Sequence, residues 1–265
     1  MTESKTVSTK VLAVFWDYDE KEEKGKAIVM EQNLIRIATI RTPFGEKFGI
    51  PRQSGLVPSL LSEIHFEGEY KNPDAIRGIE AFSHLWLLWG FTRAVQKKPP
   101  LMVSPPRLGG KEKRGVFATR SPFRPNSIGL SSVKLEQVKW DEKGNPVLIV
   151  SGADLLDQTP IYDIKPYLPY TDCHPEAKGG FGEEHKDDRI AVSFPPELLE
   201  RLPEELQQTV IEVLAQDPRA AYNKKPEYQY GMNFSGYDIR FTVKEGKLSV
   251  VDVLTNDEEF KKIKG

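Results

Sequence analysis

The sequence predicts a mainly β protein: an N-terminal β-barrel domain followed by a small C-terminal α+β domain. Three observations carry that expectation. Residues 33–170 hold several short apolar runs separated by Gly and Pro, without the strand–helix alternation of a parallel sheet. Residues 189–256 contain one helical apolar stripe and one alternating hairpin. Residues 171–188 between them are rich in Gly, His and charge and read as a linker.

Within the barrel segment, Ile35 to Arg41 is a short strand ended by Thr42-Pro43. Phe82 to Phe91 is an aromatic, Leu-rich run with the length of a strand buried on both faces. Val116 to Thr119 is a further short strand. Val133 and Leu135 share one phase while Val138 and Trp140 share the other, which predicts a bulge between the pairs. Asp141 to Asn145 then turns into Val147 to Val150, making a hairpin. In the C-terminal segment, Leu206, Val210, Val213 and Leu214 share one helical face, with Pro203, Glu204 and Glu205 in the first turn. Ile239, Phe241 and Val243 alternate, Glu245-Gly246 turns, and Leu248 and Val250 alternate back. Residues 1–32 are an N-terminal extension with strand-like content at Val11 to Trp16. They are a native extra strand, a flexible tail, or a non-native lead ahead of a start at Met30.

Composition narrows the function. The chain has 265 residues, 38% hydrophobic and 29% charged, a profile of ordinary folded protein rather than disorder. Its net charge of -2 means that any nucleic-acid surface is local. A single Cys173 excludes an internal disulfide framework and fits a reducing, cytoplasmic setting. No apolar run approaches the roughly 20 residues of a membrane span. There is no P-loop, no G-x-G-x-x-G, no H-E-x-x-H and no G-x-S-x-G, and the four histidines are scattered. No metal site is expected.

Four stretches look too irregular to be scaffold alone. Gly49 to Gly55 places Arg52 and Gln53 on a loop bent by Pro51 and Gly55, either to meet a ligand or as a plain surface loop. Ser83 and His84 enter a strand made for burial; His84 is either a satisfied core histidine or part of a pocket wall. From Arg107 to Arg124 there are six basic residues and one acid, a local +5, with Phe117 and Phe123 as apolar faces. Arg107, Arg114 and Arg124 belong to that cluster, and a guanidinium fork suits phosphate or carboxylate. Finally, Asp154, Asp157 and Asp163 follow the Val147 strand, positioned either to accept from a ribose or an ammonium or to close Asx turns.

Taken in order from about Ile35 to Val253, these stretches resemble the TrmO (TsaA, YaeB-like) family. The resemblance rests on Glu46 to Gln53, Gly78 to Trp86, Pro106 to Gly110, Gly115 to Asn126, Asp163 to Pro169 and Val213 to Arg219. It implies a barrel that binds S-adenosyl-L-methionine, a homodimer, and methylation of N6 of threonylcarbamoyladenosine at tRNA position 37, beside the anticodon. It implies cofactor contacts from Pro51, Arg52 and Gln53, from Ser83, His84 and Leu85, from Arg120, and from Asp154, Leu155, Leu156 and Asp157. Arg219, in the Gln216-Asp217-Pro218-Arg219 signature, would meet tRNA or dock the domains. Asp154, Asp157, His84 and Tyr162 are the candidates for a proton acceptor. Tyr222, Tyr228 and Tyr230 are candidates for stacking on unpaired bases, and Lys224 and Lys225 for a second basic cluster. The alternative is a non-catalytic RNA-binding barrel.

Overall fold

The computed structural model describes residues 9–17, 26–94, 96–110, 112–219 and 228–255, with side chains from Asn33 onward except Arg107 and His185. Strands β1 (Thr9–Asp17) and β2 (Lys26–Leu34) pair as a separate antiparallel hairpin, with Ala13 opposite Met30. Lys224, Lys225 and Tyr222 lie outside the described residues.

Six strands close the barrel. They are β3 (Ala38–Arg41), β4 (Leu61–Phe66), β5 (His84–Gly90), β8 (Ile128–Trp140), β9 (Pro146–Ser151) and β10 (Thr159–Pro166), paired in the order β10-β3-β4-β9-β8-β5. Between β5 and β8 lies a two-residue ribbon, β6 (Met102–Val103) with β7 (Arg114–Gly115). The barrel interior is filled by side chains including Ile40, Ile64, Leu85, Leu87, Val133, Leu148, Val150 and Ile161, as expected of so small a barrel.

Two irregularities shape the barrel. The ladder of β8 with β9 shifts register between Leu135 and Gln137, at the phase change read from the sequence. The ladder of β10 with β5 shifts between Ile161 and Asp163, leaving Tyr162 as the extra residue. Val116 to Thr119 is not a strand: Val116–Ala118 is a 3-10 turn, closed by the Thr119 N–H on the Val116 carbonyl at 3.2 Å. Burial of Val116 between exposed neighbours anchors that turn instead of pairing it.

After α1 (Pro169–Asp172), the chain continues through β11 (Ala191–Ser193), α2 (Pro196–Leu199) and α3 (Glu204–Ala215), then β12 (Tyr230–Phe234), β13 (Tyr237–Lys244) and β14 (Lys247–Thr255). The last four strands form a sheet ordered β11-β14-β13-β12, with β11 parallel to β14. Pro203 is the N-cap of α3 rather than part of its first turn, and Glu204 and Glu205 follow it. Val210, Val213 and Leu214 bury the helix on the sheet.

The second core also takes in Phe44, Val57 and Leu60, which come from the long β3–β4 connection. Phe48 stacks on Tyr230 and Phe241 with ring centroids 6.3 Å away in each case. Gly49, at φ +95°, lies flat on Met232 where a Cβ would collide with its sulfur. One loop of the barrel sequence is therefore packed as part of the C-terminal core.

Packing at the barrel mouth is equally tight. A Cβ on Gly129 would overlap the Trp89 indole, whose Nε1–H donates to Ser131 Oγ at 3.0 Å. Gly129→Ala should therefore destabilise the fold by about 1–3 kcal/mol, the usual cost of overpacking. Thermal unfolding with tryptophan fluorescence checks it; an unchanged melt would mean that Trp89 is free to move.

Candidate active site

A cavity of about 900 Å³ opens at the barrel mouth formed by the end of β5, the start of β8 and the start of β10. Its walls come from stretches that lie far apart in sequence: Lys47 and Ile50 to Gln53, Trp89 to Ala94, Pro106, Phe117 with the Arg120 to Leu130 region, and Asp154 with Leu156 and Thr159.

The Pro51 loop is fixed to the wall opposite by backbone contacts. Gly55 N–H donates to the Gly152 carbonyl at 2.8 Å, and Gly152 N–H donates to Leu60 at 3.0 Å. Gly55 and Gly152 both have positive φ, and a Cβ on Gly152 would press the Gly55 backbone at 3.1 Å. Side chains complete the enclosure. Arg120 Nη1 donates to Gln53 Oε1 at 2.5 Å, bridging the basic loop to the Pro51 loop.

Asp154 is half-buried in the wall. Ser131 Oγ donates to its Oδ1 at 2.6 Å, so Trp89, Ser131 and Asp154 form a chain of hydrogen bonds. Burial pushes its carboxyl above the usual aspartate value, against the opposing pull of the Ser131 hydroxyl, the Arg120 charge and the Ser54 backbone N–H.

The loop is held from the other side by α3. Thr209 Oγ1 donates to the Ser59 carbonyl at 3.1 Å, Ser59 Oγ donates to Glu212 at 2.7 Å, and Gln216 Nε2 donates to the Leu56 carbonyl at 3.3 Å. Arg52 Nη2 donates to the Asp217 carbonyl at 3.0 Å. Asp217, at φ +49°, also accepts a two-pronged ion pair from Arg219 at 2.8 and 2.9 Å.

Of the residues singled out in the sequence, Pro51, Arg52, Gln53, Arg120, Arg124, Asp154 and Leu156 line the cavity together. Leu155 lies immediately behind, fully buried in the barrel core. Asp157 is outside the cavity lining; its Oδ1 accepts from Thr42 N–H at 3.0 Å, tying the end of β3 to the β9–β10 connection. Ser83, His84 and Leu85 sit at the opposite end of β5, a strand of roughly 20 Å at about 3.3 Å per residue. There His84 bonds Ser83 and faces Tyr167. Tyr162 stands one layer behind the wall, its hydroxyl packed on Gly90. Arg114 pairs with Glu112 away from the cavity. Arg107 lies in a 3-10 turn beside the cavity-lining Pro106. Arg219 is buried, and its pairing with Asp217 pushes its pKa up.

Thr92 and Arg93 line the cavity but were not singled out in the sequence. The signal available was their place just after a buried strand, where chain leaves the barrel mouth. Among the described residues, no cluster of three His, Cys, Asp or Glu side chains could hold a metal ion. No helix among them is long and apolar enough to cross a membrane.

Two family models match the chain. The tRNA-methyltransferase O N-terminal domain matches residues 39–173, and the TrmO C-terminal domain matches residues 187–256. The chain belongs to the tRNA-methyltransferase O family. The tRNA (adenine(37)-N6)-methyltransferase of Escherichia coli (strain K12) is 42% identical over 223 residues, covering 81% of this chain and 94% of its own. The putative S-adenosylmethionine-dependent methyltransferase RcsF of Pseudomonas aeruginosa is 39% identical over 237 residues, 86% of this chain and all of its own length. The crystal structure of TrmO from Pseudomonas aeruginosa superposes with a TM-score of 0.67 at 34% identity, covering 84% of this chain and 99% of that one.

The raised pKa of Asp154 has a sign for stability. Above the unfolded value of 3.8, the native state holds the proton longer than the unfolded chain does, so stability falls as pH rises through the folded pKa. Asp154→Asn keeps an acceptor for Ser131 and should be more stable than the parent at neutral pH, with the gain shrinking as pH falls toward 4. Melting curves across pH test this; a less stable variant at neutral pH would mean that its donors outweigh the burial.

Proposed function

We propose that this chain is an S-adenosyl-L-methionine-dependent tRNA (adenine(37)-N6)-methyltransferase acting on threonylcarbamoyladenosine, next to the anticodon. One observation carries the reading. In a TrmO-family chain, Pro51, Arg52, Gln53, Arg120 and Asp154 converge on a single cavity of about 900 Å³.

The cavity fits this cofactor in charge and in size, being within the range of small-molecule sites. Among the described residues, Asp154 is the one carboxylate in the wall, and it suits a cationic group. Arg52, Arg93 and Arg120 suit a carboxylate, and Phe91 with Pro51 offers flat apolar surface for a base. Bound S-adenosyl-L-methionine supplies a methyl group on a sulfonium, which is already electrophilic. The protein's task is then mostly to position, which can account for several kcal/mol of the barrier. The Pro51 loop and Trp89 wall exclude water and fix the angle of approach. Of the four candidate proton acceptors, Asp154 alone lines the cavity, so acid–base work in this reading falls to the same carboxylate.

The tRNA would approach over the basic rim, where Arg93, Arg120 and Arg124 meet phosphate or the threonyl carboxylate. Phe117, exposed at that rim, offers a face for an unpaired base. Exposed Leu101 and Met102 lie together at β6, where the Leu101 carbonyl accepts from Val116 N–H at 2.9 Å. That apolar ridge supports a homodimer with the cavity near its interface. The working compartment in this reading is the cytoplasm, where its tRNA is.

Three outcomes are expected. Calorimetry should detect S-adenosyl-L-methionine binding that weakens as pH falls through the raised Asp154 pKa, because the counter-charge is lost; Asp154→Asn should abolish that pH dependence. Arg120→Ala and Arg124→Ala should each lower turnover about tenfold to a hundredfold with unchanged melting, since a hydrogen bond to a charged group is worth about 1.5–3 kcal/mol. Mass spectrometry of tRNA nucleosides should show loss of the methyl mark on threonylcarbamoyladenosine in cells lacking the protein. No heat with the cofactor but tight RNA binding would replace the enzyme with a non-catalytic RNA-binding barrel.

A further inference from the structure

A second cavity, of about 830 Å³, lies on the other side of the β3–β4 loop, against the C-terminal sheet. Glu46 and Gly45 line it from the loop, and Asn233, Asp238 and Arg240 line it from β12 and β13. Lys47, the next residue after Glu46, lines the first cavity. The two cavities therefore border one stretch of chain.

The chemistry of its walls differs from that of the first. Two carboxylates, Glu46 and Asp238, face one guanidinium, Arg240, which already donates to Asp238 at 2.6 Å. That balance repels phosphate. The same walls carry donors and acceptors side by side: the amides of Asn233 and Gln229, and the Glu46 carboxylate, which accepts from the Asn233 backbone N–H at 3.4 Å. Gly231 keeps the wall open, because a Cβ there would press Asp238 Oδ1 at 2.7 Å. Tyr230, which lines the cavity, belongs to an aromatic stack. Tyr228, half-exposed, sits edge-on to Tyr230 at 4.8 Å, and Tyr230 stacks on Phe241 at 5.5 Å. A neutral flat heterocycle with both donors and acceptors on its edge matches such walls, and unpaired RNA bases are read in this way.

We infer that this second cavity receives an unpaired nucleobase beside the modified adenosine, and so reads part of the anticodon-loop sequence. The inference rests on the tRNA reading above. The probe is a synthetic anticodon stem-loop carrying threonylcarbamoyladenosine, together with versions made abasic at each neighbouring loop position. Glu46→Gln, Tyr228→Ala and Asn233→Ala should raise KM for the RNA several-fold to tenfold, with kcat at saturating RNA and cofactor affinity unchanged. At one loop position, the abasic RNA should weaken the parent equally and cost the variants nothing more, as coupled partners do. Glu46 is on the surface, so its variant reports even where the Asn233 change disturbs β12. Unchanged KM in the Glu46 and Tyr228 variants, or penalties that simply add at every position, would overturn the inference. Anisotropy of the same labelled RNAs reads binding without turnover. A parent that binds with this base dependence and never methylates would fail the enzymatic reading alone.

Discussion

The β3–β4 loop, held between two cores, is the constraint on which the rest of the site depends. Its Phe44, Val57 and Leu60 are buried among the side chains of α3 and the C-terminal sheet. Its Gly55 is hydrogen-bonded to the barrel at Gly152. Burying the three apolar side chains is worth about 1.5–3 kcal/mol each, together more than any single polar contact in the loop. The hydrophobic anchors thus choose where the loop sits, and the hydrogen bonds from Thr209, Gln216 and Arg52 set its register. Pro51 to Gln53 can then form a cavity wall without being part of any strand. This also gives the C-terminal domain a physical role, as a strut for the wall of a cavity that opens on the barrel.

The electrostatics follow from the same placement. A chain of net charge -2 gathers Arg52, Arg93, Arg120 and Arg124 at one mouth, where Arg120 reaches across to Gln53 and opposes the effect of burial on the Asp154 carboxyl. The second cavity, one residue away along the loop, has the opposite balance. A single loop therefore separates a wall suited to charge from one suited to base edges.

Much of the fold was legible because periodicity and burial agree. The stripe of α3, the phase change in β8 and the β13–β14 turn are each set by local patterning. β4 and β10 were not read as strands. In β10, Pro160 and Pro166 mark its ends and Tyr162 breaks its alternation as a bulge, so the pattern of a strand is hidden even though the ladder closes the barrel. At the site, the loop and Asp154 were legible from irregular composition. The placement of His84 was not: alternation places a residue on a face, but only barrel closure determines which end of β5 meets the cavity. That end belongs to Trp89 through Ala94. Arg219, which the sequence leaves to tRNA contact or to domain docking, is buried and paired with Asp217, whose carbonyl accepts from Arg52; burial of that kind is not readable from residue type.

The most direct measurement is the cofactor affinity of a protein whose strut is cut while both cores stay intact. The double variant Thr209→Val, Glu212→Ala removes the hydrogen bonds of α3 to Ser59, more than 100 residues away in sequence, and touches no residue of the cavity wall. If α3 positions the wall, calorimetry should show S-adenosyl-L-methionine binding weakened about tenfold, as loss of roughly 1.4 kcal/mol implies, while the thermal melt shifts little. Affinity equal to the parent's, in a folded variant, would contradict the account.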